Sequence, residues 1–97
     1  MYALAIIRYR RPIDEVLAHY EAHHDYLQSL KVDGVLVASG PLEPRYGGAL
    51  LLRVPDDAVE ATLDRVRDGD PYWKAGVAQY ECLPWNVKTG REDLDRA

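Results

Sequence analysis

The spacing of apolar and polar positions along the chain predicts a regular series of elements. From Tyr2 to Arg10 nearly every side chain is apolar or β-favouring, with Ile6, Ile7 and Tyr9 prominent, which predicts a strand. Pro12 closes it and stands where a helix can begin. Between Ile13 and Leu30 the apolar positions Ile13, Val16, Leu17, Tyr20, Leu27 and Leu30 recur at helical spacing, which predicts one amphipathic helix ended by Gly34. Val35 to Ala38 reads as a short second strand. Ser39-Gly40-Pro41, Pro44 and Gly47-Gly48 read as loop and turn. Ala49 to Val54 predicts a third strand, and Pro55-Asp56-Asp57 the start of a second helix. Ala58, Val59, Thr62, Leu63 and Val66 form that helix's inward stripe, which Gly69 ends. Asp70-Pro71-Tyr72-Trp73 makes a tight corner, and Val77 to Val87 a last strand. Pro84 within it marks an edge position or a bulge. The polar segment 88–97 carries both charge signs and reads as a flexible tail to a single domain spanning 1–97.

The resulting order, βαββαβ, predicts an α+β, ferredoxin-like fold: a four-stranded antiparallel sheet with two helices on one face. Both faces of the strands are apolar. In the first strand Tyr2, Leu4 and Ile6 occupy one face and Ala3, Ala5 and Ile7 the other. Leu50 and Leu52 likewise oppose Ala49 and Leu51 in the third. A half-solvated antiparallel sheet alternates apolar with polar, and two helices cover only one face. A second copy is the simplest cover for the other, so a homodimer packed sheet to sheet is expected.

Composition narrows the function classes. The 97 residues allow one small core, and the formal net charge of −4 disfavours nucleic acid as a partner. No apolar run approaches the length of a membrane span, so no membrane partner is expected. The lone Cys82 excludes an internal disulfide and a multi-cysteine metal cluster, which suits a cytoplasmic protein. Seven Tyr and two Trp with no Phe give the chain aromatic rings with polar handles, as befits interfaces and wet pockets.

Candidate chemistry concentrates on His19, His23, His24 and Asp25 in the first helix and on Asp70 in the corner. His23 and His24 fall on the two flanks of the buried stripe, and periodicity does not choose between them. An imidazole takes up and returns a proton near neutral pH, and a carboxylate such as Asp70 fixes its tautomer and stabilises the imidazolium. His19 and His23 share a helical face at a metal-binding spacing, but Tyr20 stands where a zincin has glutamate. No metal is expected. Cys82 lies in a strand without a base beside it and reads as a core residue. Ser39 lacks the G-x-S-x-G frame of serine hydrolases.

His23-x-x-Tyr26-Leu27, Gly34, Ser39-Gly40-Pro41-Leu42 and Asp70-Pro71-Tyr72-x-x-Ala75-Gly76 follow one another along the chain. The series resembles the YCII-related (YciI-like) family, whose usual pattern is H-x-x-Y-L, a glycine before the second strand, A-G-P and D-P-[FY]-x-x-A-G. The resemblance reaches essentially to the last strand. It implies a dimeric α+β barrel and an active site made of a first-helix histidine and the aspartate before the D-P proline. On this chain those are His23 and Asp70, so the resemblance prefers His23 to His24. Three departures stand out. Tyr20 replaces an arginine that many members carry, Ser39 replaces an alanine, and His24 is an additional imidazole.

The resemblance also implies a reaction class, since one relative is a dehydrochlorinase and the wider superfamily includes muconolactone isomerase and cofactor-free monooxygenases. The leading expectation is a cofactor-independent lyase or isomerase acting on a small cyclic or aromatic acidic substrate. His23 serves as base and Asp70 as its carboxylate, with Tyr26, Ser39, Tyr72 and Trp73 as substrate-binding residues. The alternatives are a non-catalytic small-ligand-binding or accessory protein on the same dimeric fold, and a cofactor-free monooxygenase.

Overall fold

β1 (Tyr2–Tyr9) is the inner strand about which the sheet is built. The structure, a computed structural model, describes residues 1–97. After β1 come the helices α1 (Ile13–Leu17) and α2 (Tyr20–Val32), then β2 (Leu36–Pro41) and β3 (Gly47–Arg53). The helices α3 (Val59–Gly69) and α4 (Pro71–Lys74), the strand β4 (Ala78–Trp85) and a last helix α5 (Arg91–Asp95) complete the chain. The sheet is antiparallel throughout, in the order β2-β3-β1-β4. The α+β architecture expected from βαββαβ is therefore the one observed, and Pro84 does lie on an edge strand. No helix is long and apolar enough to cross a membrane.

Ala3, Ala5 and Ile7 of β1, with Leu50 and Leu52 of β3, turn toward the helices and are buried. Val16 and Leu27 close on them from the first helical segment, and Leu63 and Val66 from α3. The small alanines let the helices come close to the sheet. On the opposite face Leu4 pairs with Leu51 on one side and Leu83 on the other, an apolar row that remains partly exposed.

Several boundaries differ from the sequence pattern. The single helix predicted over Ile13–Leu30 is two, because the His19 N–H turns to the Val16 carbonyl three residues back (3.0 Å). That tight turn interrupts the α-helical ladder between Leu17 and Tyr20. Ser39-Gly40-Pro41 and Gly47-Gly48, predicted as loop, belong instead to β2 and β3, with Ser39, Gly40 and Pro41 pairing with Leu50, Ala49 and Gly48. Glycine is needed there for approach and not for a turn: a Cβ on Gly47 would lie 1.7 Å from the Ile7 carbonyl oxygen. The segment predicted as a flexible tail contains α5, tied down by polar contacts. The Tyr2 hydroxyl donates to Asp95 (2.6 Å) and the Arg53 guanidinium to the Leu94 carbonyl (2.8 Å).

Candidate active site

Asp70 sits at the junction of α3 and α4, and its local sequence explains its position. The proline after it holds its backbone extended (φ −73°, ψ 124°), ending α3, and Pro71 opens α4. As the N-cap of α4, Asp70 accepts the Tyr72 N–H through Oδ1 at 2.9 Å. The same oxygen lies 2.8 Å from His23 Nδ1. Oδ2 accepts the hydroxyl of Tyr80 on β4. The carboxylate is completely buried and has three donors, from three different elements.

His23 reaches this carboxylate because it shares a helical face with Leu27 and Leu30, the buried residues of α2. His24, one residue on, is exposed. The structure thus separates the two imidazoles that periodicity left equivalent. Tyr72 lies flat on the His23 ring, with centroids 3.8 Å apart and planes within 5°. Tyr9 meets Tyr72 edge-on at 6.2 Å. An ionised Asp70 only accepts hydrogen bonds, so the hydrogen at the His23 contact belongs to Nδ1. No buried side-chain nitrogen or oxygen lacks a partner, and Nε2 has none within the chain. Nε2 is therefore accessible, and His23 forms part of the wall of a cavity of about 330 Å³.

That cavity lies between α2, α4, the β2–β3 connection and one end of the sheet. Ser39 and Tyr72 line it, as does His24. Tyr26 and Trp73, also expected as substrate-binding residues, are placed elsewhere. The Tyr26 hydroxyl donates to the Val66 carbonyl (2.8 Å) and packs beside Gly69, pinning α2 to the end of α3. Trp73 packs edge-on against Tyr80 with the Arg67 guanidinium over its ring, behind the carboxylate and away from the cavity.

The structure adds residues that motif reasoning missed. Tyr80 completes the shell of Asp70, and Tyr9, Tyr20 and Arg45 line the cavity. The period-two alternation Ala78, Tyr80, Cys82 was the available signal for Tyr80, since it places the phenol on the helix-facing side. Burial, helped by the nearby Tyr9 and Asp70, pushes the Tyr72 phenol up to about 12. Burial, with the Asp70 charge beside it, pushes Tyr80 higher still, so both remain protonated donors at neutral pH. Burial likewise raises the Cys82 thiol and keeps it from being a ready nucleophile.

The sheet, its helices and the cavity at its end define an α+β fold with room for a small molecule. The chain belongs to the YCII family: the YCII-related domain matches residues 1–86. In fold it is similar to 5-chloro-2-hydroxyhydroquinone dehydrochlorinase (TftG) from Burkholderia phenoliruptrix AC1100, solved as a complex with 2,5-dihydroxybenzoquinone. The TM-score is 0.73 at 22% identity, over 91% of this chain and 96% of that one. No curated protein matches the chain in sequence.

Proposed function

We propose that the protein is a cofactor-independent lyase or isomerase that moves a proton with the His23–Asp70 pair. The observation that carries this reading is the 2.8 Å contact between His23 Nδ1 and a fully buried Asp70, which leaves Nε2 accessible. Nε2 removes a proton from a carbon or oxygen made acidic by a neighbouring carbonyl. The electron pair left behind expels a leaving group such as chloride in a lyase, or is reprotonated elsewhere on the ring in an isomerase. The imidazolium gives its proton to water in the first case and back to the ligand in the second. Asp70 stabilises that imidazolium and holds the ring in place. Ser39 and Tyr72 contribute to binding.

The working unit is a homodimer. The partly exposed row Leu51–Leu4–Leu83 lies on the face opposite α2 and α3, where only α5 packs at the end marked by Tyr2 and Arg53, and a second copy of the same row suits the remainder.

The test is chloride release from 5-chloro-2-hydroxyhydroquinone, a probe chosen from the fold relative. The protein accelerates release, and His23→Asn lowers the rate by about 10²-fold or more while the fold persists by circular dichroism. An unaltered rate in that variant, or no acceleration by the unmodified protein, refutes the assignment for this substrate class.

A further inference from the structure

The cavity holds a charge that the proton-transfer pair does not use. Arg45, in the connection between β2 and β3, is the one permanently charged side chain lining it, and no Asp or Glu lines it. The guanidinium has no carboxylate within salt-bridge distance, as is also true of Arg10, Arg53, Arg65 and Arg91, none of which lines the cavity. Its connection is anchored on both sides. The Tyr9 N–H donates to the Tyr46 carbonyl (2.8 Å) and the Leu42 N–H to the Gly47 carbonyl (2.9 Å). Tyr9, with Tyr72 and Tyr20 contributing less, raises the Arg45 pKa, so the guanidinium stays charged.

The remaining walls favour a flat ligand. Two stacked pairs face the cavity: Tyr72 on His23, and Tyr20 on His24 with centroids 5.9 Å apart. A volume of about 330 Å³ is at the small end for ligand sites and suits a molecule of one ring.

We propose that Arg45 is the specificity-determining anchor of this cavity, pairing with a carboxylate or ring oxyanion on a single-ring aromatic ligand. The guanidinium offers a planar fork of donors that matches a carboxylate, and its charge has no competitor within the site. The inference builds on the proton-transfer reading only in locating the ligand beside His23. There the same cation also stabilises the negative charge that builds on the ring as His23 removes a proton.

The test uses benzoate and its neutral analogue benzamide, titrated against the full chain by amide NMR. Benzoate binds at least about tenfold more tightly than benzamide, the worth of one charge-assisted contact. Arg45→Gln removes that preference by weakening benzoate and leaving benzamide unchanged, and Arg45→Lys restores part of it. Equal binding of the two probes, no binding of benzoate, or a preference that survives Arg45→Gln overturns the anchor. Benzoate selectivity without chloride release from the chlorinated probe sinks the proton-transfer reading for that substrate class and leaves the anchor standing. Chloride release without selectivity sinks the anchor alone.

Discussion

Tyr80→Phe removes one oxygen atom and tests whether the buried Asp70 is an ionised carboxylate held by three donors. In the intact protein Oδ1 accepts from His23 and from the Tyr72 N–H, and Oδ2 accepts from Tyr80. Phenylalanine fills the same volume but leaves Oδ2 without a partner at a residue with no solvent exposure. Hydrogen bonds to charged groups contribute about 1.5–3 kcal/mol, and an orphaned buried oxygen adds its own desolvation cost. The expected loss is therefore about 2–3 kcal/mol, a large share of the roughly 5–15 kcal/mol typical of a domain. For a chain of this length that lowers the melting temperature by roughly 10–20 °C. Urea unfolding followed by circular dichroism measures the loss directly. A cycle with Asp70→Asn isolates its cause, because a neutral amide takes only an ordinary hydrogen bond of about 1 kcal/mol from the phenol. The two substitutions should couple by about 1–2 kcal/mol. A cost for Tyr80→Phe under about 0.5 kcal/mol, or one unchanged in the Asp70→Asn background, would refute the reasoning.

Two further outcomes follow from the same packing. Below about pH 10 the folded and unfolded chains hold the same phenol protons, but above it the unfolded chain releases protons that Tyr72 and Tyr80 retain. Stability should fall as pH rises from about 10 toward and beyond 12, and less steeply in Tyr80→Phe. Urea titrations across that range test this, and parallel curves for the two proteins would count against it. Leu51→Lys places a charge opposite Leu4 on the uncovered face. Sedimentation velocity should show a dimer for the unmodified chain and a monomer for the variant. A monomer in both, or a dimer unaffected by the lysine, would rule out this face as the interface.

The elements that define the fold are legible in the sequence because each depends on local spacing. Val16, Leu27 and Leu30 mark the buried side of the first helical segment, and Ala3, Ala5 and Ile7 mark one face of β1. Asp70 is legible for a similar reason, since a carboxylate before proline both ends one helix and caps the next. Features that depend on contacts between distant segments do not show in local spacing. Gly47-Gly48 resembles a turn until β1 is laid against it, where the Ile7 carbonyl excludes a side chain at Gly47. The break at His19 leaves the apolar spacing intact and changes only the hydrogen-bond ladder. The charged residues after Val87 read as mobile because their partners, Tyr2 and Arg53, stand far away in the chain.

The site follows the same division. Tyr26 and Trp73 sit in or beside the motifs, yet both point into structural packing, while Arg45 and Tyr9 line the cavity from segments without a motif. The His23–Asp70 contact depends on tertiary structure in a stronger sense. A buried carboxylate is costly unless all its lone pairs are met, and here its donors come from α2, α4 and β4. None of the three elements alone stabilises the ionised form. The pair therefore assembles only when α2, the α3–α4 corner and the edge strand have come together around Asp70. A substitution that loosens the α4–β4 corner should weaken the His23–Asp70 contact and the fold together, whereas one at Arg45, on the exposed connection, should alter binding alone.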